Sequence, residues 1–391
     1  MLFVCVYHNS IELIKNKMNK IIIALLVLCT IYQYSNAQVQ DNKKVSDLMH
    51  HFEKLLNNKP KKQVVNMLCY LENEKKAIVF SEGFGYIDNT RQEPISKNQP
   101  FKIASISKMF TSVVVLQMYE EGLINLDEYA YKYLNEIDYL NFENLHVNYG
   151  VSYGKKITIR QLLNHTSGLA DIFIDTEEQF NEHVLDNRQK QWSPGLLFQK
   201  YYEFKVNEMA KFKPGTSYAY SDVGYFLLGL CIEQISNTSL AEQYRKRILN
   251  PLKLNNTYLE YYEDKTSDLE IAHAYIKDLE ATKELNTSYD WSGGGLISNT
   301  ADLKKFIQNL FKNKLFKNEE TLKMMIDDDM YGFGISVFKF DDKIYYGHLG
   351  FWGSGIFYDP KNEITICLSI NQTNPSFDAF KLIKRVRKFI E

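Results

Sequence analysis

The order of strand-like and helix-like segments along the 391 residues restricts the fold more than any single motif does. Alternating apolar runs stand near one end, at Val64 to Leu71 and Ala77 to Phe80. They return near the other, at Tyr331 to Phe340, Lys343 to Gly347, Gly355 to Tyr358 and Ile364 to Ile370. From Gly122 to Leu230 the signals are mostly helices and loops: Leu123 to Leu134, Ile157 to Asn164 and Asp222 to Ile235. This order suggests an α+β fold with one sheet built from both chain ends and a mostly helical insertion beside it. Asn73-Glu74 closes the first strands into a hairpin leading to Gly83-Phe-Gly-Tyr86. Val45 to Leu56 has helical spacing, and Phe377 to Ile390 reads as an amphipathic closing helix. A cleft between sheet and insertion is the expected place for a site.

The stretch Phe101 to Ser112 places Ser105 three residues before Lys108. If Ser105 to Glu121 is helical, both side chains share one face, a hydroxyl beside an amine. An amine that gives up its proton at low cost can activate such a hydroxyl as a nucleophile. The first turn of the helix also presents unpaired N–H groups to developing negative charge. The spacing Ser-x-x-Lys recurs at Ser152 with Lys155 and at Ser336 with Lys339, so context has to separate the three. Ser152 lies among glycines that favour a loop, and strand alternation would put Ser336 and Lys339 on opposite faces. Only Ser105 opens a long apolar run, Met109 to Leu116, with Gly122 as its stop.

Hydrophobic residues make up 45% of the chain, enough for a large core in one big domain or two smaller ones. Lys15, Lys17 and Lys20 precede the apolar run Ile21 to Tyr32, and Ser35-Asn36-Ala37 supplies small residues before Gln38. That basic, apolar, small order predicts a signal peptide over residues 1–37, with Met18 as a possible start, and an exported, periplasmic or secreted protein. Bulky Leu28 fits poorly the small residue expected before a lipidated cysteine, so lipid anchoring at Cys29 ranks second. No stretch is long enough for a comfortable membrane span. Residues 38–62 then form an N-terminal helix and linker, and 63–391 a catalytic domain. Without residues 1–37 the chain keeps 43 basic and 47 acidic residues, a net charge near −4 that does not favour nucleic acid. Cys69, Cys231 and Cys367 sit far apart in apolar contexts and read as core thiols.

Three further stretches gain meaning together. Pro214 to Tyr225 sets Tyr220 two residues before Asp222 at a helix entry, where Asp222 is a reasonable N-cap. Ile157 to Leu169 ends a short helix at His165, and Tyr345 to Gly355 reads Tyr-Tyr-Gly-His-Leu-Gly-Phe-Trp-Gly-Ser-Gly. With Phe-Lys-Ile-Ala-Ser-Ile-Ser-Lys and Ser-Gly-Gly-Gly-Leu-Ile-Ser, these resemble the ordered motifs of serine beta-lactamase-related hydrolases. That group includes class C beta-lactamases, D-alanyl-D-alanine carboxypeptidases and esterases. The resemblance spans about residues 45 to 390 and implies the beta-lactamase/transpeptidase-like fold, an α+β architecture whose antiparallel sheet, built from both chain ends, is flanked by helices with a mostly helical inserted subdomain.

Carried over position by position, the resemblance makes Ser105 the nucleophile, Lys108 its amine partner and Tyr220 a general base or proton relay. Asp222 stands where the family often shows asparagine. His348-Leu349-Gly350 matches a strand motif that is Lys-Thr-Gly or His-Thr-Gly in many members, and the backbone N–H groups of Ser105 and Phe351 would form the oxyanion hole. The His165 segment supports the fold there, which sets aside a Ser-His-Asp triad. A carboxylate at 222 close to Lys108 would hold that amine protonated and shift the base role to Tyr220, with the phenol pKa lowered.

These expectations describe an exported serine hydrolase acting on a small-molecule ester, amide or peptide through a Ser105 acyl-enzyme. The alternatives are a penicillin-binding protein or DD-carboxypeptidase, a true beta-lactamase, and a non-catalytic binder or sensor on the same fold. Leu349 removes the hydroxyl that usually helps hold a substrate carboxylate, with Ser354 as a conceivable substitute. Phe351 and Trp352 would add apolar surface, so Leu349 and Trp352 are candidate substrate-binding residues for a neutral acyl group. No Gly-x-Ser-x-Gly, His-Glu-x-x-His, paired Cys-x-x-Cys or phosphate-binding loop occurs, and no metal or other cofactor is implied.

Overall fold

A computed structural model describes residues 45–54, 56, 64–328, 330–373 and 379–390. The expected signal peptide and most of the linker lie outside these residues. The chain divides into two units, residues 1–54 and 55–391. In the first, residues 45–54 are helical. The second carries the sheets, the remaining helices and the candidate site.

Six strands form one antiparallel sheet: β1 (Asn66–Asn73), β2 (Ile78–Gly85), β3 (Ser336–Phe340), β4 (Lys343–Gly350), β5 (Ser354–Asp359) and β6 (Ile364–Ser369), in the order β3-β4-β5-β6-β1-β2. The sheet is therefore built from both chain ends, joined where β1 pairs with β6 in the register Tyr70↔Cys367 and Leu71↔Ile366. β5 and β6 are buried along their whole length, which explains their near-continuous apolar sequences Ile356-Phe357 and Ile364 to Leu368. Cys69, Cys231 and Cys367 are buried free thiols, and burial pushes each thiol pKa upward.

Two strand boundaries depart from the sequence pattern. The first hairpin turns one residue further on, through a short 3-10 helix at Glu74–Lys76. The Asn73 side chain accepts from Lys76 N at 3.0 Å, Ala77 takes a left-handed φ of 54°, and β2 runs on to Gly85. β3 starts only at Ser336, because the chain bends through Gly334 (φ 72°), and Tyr331 meets the strand by a single bridge to Ser336.

The helix α1 (Ser107–Glu120) is buried on nearly every side, as its apolar sequence requires. Its stop at Gly122 is a Schellman turn, with Gly122 at φ 72°, Leu123 N donating to Met118 O at 2.9 Å and Gly122 N to Tyr119 O at 3.0 Å. Phe110 stacks on Phe306 of a later helix at 3.8 Å between centroids. The inserted segment carries α2 (Ile159–Leu163) and α3 (Asp222–Ser236), and helix α4 (Ala379–Ile390) closes the chain. Helix over Leu123 to Leu134 is limited to Tyr131–Leu134, since Asn125 Oδ1 accepts from Asp127 N at 3.0 Å and turns the chain first. A small sheet pairs Phe101–Lys102 with Leu296–Ser298, and so brings the Gly293-Gly294-Gly295 turn beside the start of α1.

Candidate active site

Ser105 lies in a single 3-10 turn, Ala104–Ile106, that leads directly into α1. Lys108 is the second residue of α1, one turn on from Ser105, and its Nζ stands 3.1 Å from Ser105 Oγ. Ala104, immediately before the serine, has φ 47°, a left-handed conformation that costs an alanine free energy. The other two Ser-x-x-Lys pairs go elsewhere. Ser152 is exposed on a two-residue strand, Lys155 pairs with Glu143, and Ser336 opens the edge strand β3.

Lys108 is fully buried and donates to three acceptors: Ser105 Oγ, Gly293 O at 2.7 Å and Asp222 Oδ1. Three acceptors match the three N–H donors of an ammonium group. Asp222 is the first residue of α3 rather than its cap. Ser221 occupies the N-cap position, the Asp222 carboxylate turns to Lys108, and the Asp222 N–H is accepted by Asp171. Asp171 also accepts from Phe173 N at 2.9 Å and Ile174 N at 3.1 Å, and burial next to Asp222 pushes its pKa up to about 7.

Tyr220 Oη donates to Ser105 Oγ at 2.9 Å, and Lys108 Nζ lies 5.0 Å from the centre of its ring. The expected lowering of the phenol pKa is not found. Burial, followed by the charge of Asp222, holds Tyr220 well above the ordinary tyrosine range, so the resting group is a neutral phenol.

β4 ends beside the nucleophile turn. Ser354 Oγ donates to Ile103 O at 2.9 Å, and a Cβ added to Gly350 would overlap both of these oxygens and approach Ala104 Cβ to 3.2 Å. Glycine at 350 is thus the condition for strand and turn to meet. His348 donates through Nδ1 to Leu349 O at 2.6 Å, and Tyr331 Oη donates to its Nε2 at 3.0 Å. Burial and the nearby Lys108 charge lower the His348 pKa to about 3, so the ring carries no charge at neutral pH. Leu349 is half-buried and apolar.

Two rim residues depart from expectation. The tight turn after β4, closed by Gly353 N to Gly350 O at 3.0 Å, sends consecutive side chains opposite ways. Phe351 is 61% exposed while Trp352 is 2% exposed and packs in the core, which removes Trp352 as a surface for substrate. Ser354 is buried and committed to Ile103, so its hydroxyl is not available to a substrate carboxylate. Sequence reasoning missed Asp171, Tyr331 and the Gly293 carbonyl. The Ser-Gly-Gly-Gly-Leu motif was the one available signal for the last.

Among the described residues no helix is long and apolar enough to cross a membrane, and no group of three or more His, Cys, Asp or Glu side chains could hold a metal ion. The family model Beta-lactamase matches residues 71–389. Penicillin-binding protein 4* of Bacillus subtilis is 27% identical over 253 residues, 60% of this chain and 50% of the relative. The serine beta-lactamase-like protein LACTB, mitochondrial, of Homo sapiens is 27% identical over 297 residues, 61% of this chain and 53% of the relative. The chain thus spans about half the length of the curated relatives it matches. Among solved structures, a D-stereospecific amidohydrolase from Streptomyces sp. superposes with TM-score 0.71 at 24% identity over 87% of this chain and 97% of that one. The hydrolase EstCE1 superposes with TM-score 0.71 at 17% identity over 90% and 99%. These neighbours establish the fold, and the match of the family model over most of the chain establishes its membership: the protein belongs to the beta-lactamase family of serine hydrolases.

Proposed function

We propose that the protein cleaves esters or amides of neutral, apolar acyl groups through an acyl-enzyme on Ser105. One observation carries the reading: Ser105 Oγ accepts from both Tyr220 Oη, at 2.9 Å, and Lys108 Nζ, at 3.1 Å. In the proposed reaction Ser105 Oγ attacks the carbonyl carbon. Its proton passes to Tyr220 Oη while Tyr220 gives its own proton to the leaving oxygen or nitrogen, so no resting phenolate is required. The Ser105 and Phe351 N–H groups meet the charge on the carbonyl oxygen. Lys108, held by Asp222 and Gly293, keeps positive charge beside the reacting atoms. Water then follows the reverse proton path, the acid leaves, and Ser105 regains its proton.

The substrate class follows from β4. Leu349 has no donor, His348 is uncharged and the Ser354 hydroxyl at the start of β5 is committed, so none of these three side chains offers a substrate carboxylate a partner. Phe351 offers exposed apolar surface instead. Two proteins of the same fold, the Streptomyces amidohydrolase and a D-amino acid amidase from Ochrobactrum anthropi, are amide-cleaving by name, which keeps amides within the proposed range. The basic, apolar, small-residue order of residues 15–37 supports export ahead of a catalytic domain over 63–391. Sequencing the N-terminus of the secreted or periplasmic protein checks this, with Gln38 as the expected first residue.

The enzymatic reading is tested with a fluorophosphonate probe and p-nitrophenyl acetate. Ser105→Ala is expected to lose both labelling and turnover, while Ser152→Ala and Ser336→Ala keep both. Turnover by Ser105→Ala would refute the mechanism, and labelling of the parent without turnover would identify a binder.

A further inference from the structure

Tyr220 sits in a run, residues 209–221, that has no helix or strand of its own. Three backbone N–H groups of that run donate to carbonyls of the turn His165 to Gly168. Lys211 N donates to Gly168 O at 2.9 Å, Gly215 N to Thr166 O at 2.8 Å and Ala219 N to His165 O at 3.0 Å. Ser221 N donates to His165 Nδ1 at 3.2 Å. His165 therefore accepts from the residue before Tyr220 with its carbonyl and from the residue after it with its ring. That ring also lies against the Tyr220 ring, with centroids 4.2 Å apart.

From this geometry we infer that His165 is a positioning residue for Tyr220: it fixes the depth and direction of the phenol by gripping the backbone on both sides and backing the ring. The inference rests on the proposed role of Tyr220. His165 is more than a space-filling group. An apolar ring would occupy the same volume without leaving a buried polar atom unpaired, yet His165 Nε2 has no hydrogen-bond partner among the described residues. What the imidazole supplies is the Nδ1 acceptor. Burial and the Lys108 charge lower its pKa well below the ordinary histidine range, so that lone pair stays open to Ser221 N–H. The backbone of His165 is itself left-handed, with φ 58°, a conformation that points its carbonyl back along the Tyr220 run and that few residues other than glycine and asparagine adopt readily.

The two features of the ring can be separated. His165→Phe keeps its shape and removes the acceptor. His165→Asn removes the shape, keeps an acceptor near the place of Nδ1 and tolerates the left-handed backbone. Steady-state kinetics on p-nitrophenyl acetate are measured for both, alone and combined with Tyr220→Phe. His165→Phe is expected to lower kcat at least about tenfold with KM nearly unchanged, on the scale of a misplaced catalytic group. His165→Asn should stay within about threefold of the parent. In the Tyr220→Phe background His165→Phe should change kcat by less than about twofold, because a residue acting through Tyr220 has nothing left to position. An equal loss in both backgrounds, or an Asn variant as slow as the Phe variant, would overturn the inference. Should His165→Phe fail to fold, the Asn variant decides alone: parent-like kcat supports positioning, and a folded protein with low kcat contradicts it. If Tyr220→Phe itself retains parental kcat, the role of Tyr220 falls first and this inference with it.

Discussion

Ser354 Oγ donates to the Ile103 carbonyl at 2.9 Å, a bond that joins the first residue of β5 to the residue two before the nucleophile. Gly350 pairs with Ser354 across the β4–β5 turn and leaves the gap through which this bond passes. Gly350→Ala would push a methyl into both oxygens and into Ala104, forcing the strand away from Ser105. Overpacking of this kind costs roughly 1–3 kcal/mol, so the variant should melt at lower temperature. It should also lose at least about tenfold in kcat, the scale on which small misplacements act. A variant with parental kinetics would show that β4 does not need to approach the turn so closely.

Tyr220→Phe removes one hydroxyl and leaves the ring packing on His165 intact. Losing a general base or relay costs about a hundredfold or more, and the pre-steady-state rate of p-nitrophenol release reads that loss. A drop of less than tenfold would return proton transfer to Lys108.

On the proposed reading, the uncharged His348 ring and the apolar Leu349 side chain favour neutral substrates. The parent should hydrolyse short-chain esters and turn over penicillins and cephalosporins poorly. Leu349→Thr should improve acylation by those drugs, since a hydroxyl offsets part of the roughly 1–3 kcal/mol lost when a polar group is desolvated without a partner. Spectrophotometric beta-lactam turnover measures both proteins. Efficient cephalosporin hydrolysis by the parent would contradict the neutral-acyl assignment.

Burial lowers the His348 pKa from 6.5 to about 3 in the folded protein. Between those values the unfolded chain binds a proton that the folded chain refuses, so stability is complete above pH 6.5 and falls as the pH drops through this window. His165 is shifted in the same direction and adds to the effect. Denaturant unfolding at pH 7 and pH 4.5 should show a decrease to which His348 contributes on the order of 2 kcal/mol, and His348→Gln should narrow the difference. An unchanged difference in the variant would mean that His348 is solvated.

Ser105 and Lys108 were legible because one short stretch contains both and a helical turn brings them together without help from the rest of the chain. Tyr220 and Asp222 were legible as residues, but their chemistry was not. The phenol shift depends on burial that spacing does not report, and the cap position depends on where Ser221 falls at the helix entry. Trp352 was misplaced because a tight turn alternates its side chains between solvent and core, whereas a strand edge would have exposed it. The Gly293 carbonyl and Asp171 were hidden for a different reason. A backbone oxygen has no residue type to recognise, and Asp171 acts through the N–H of Asp222, 51 positions away.

The most direct measurement is the intact mass of the protein quenched within its first turnovers on a short-chain p-nitrophenyl ester, followed by peptide mapping of any adduct. Acylation by Ser105 requires a mass increase equal to one acyl group, located on the peptide containing Ser105, present in Tyr220→Phe only at much longer times and absent in Ser105→Ala. Turnover with no adduct at any time, or an adduct on another residue, would contradict it.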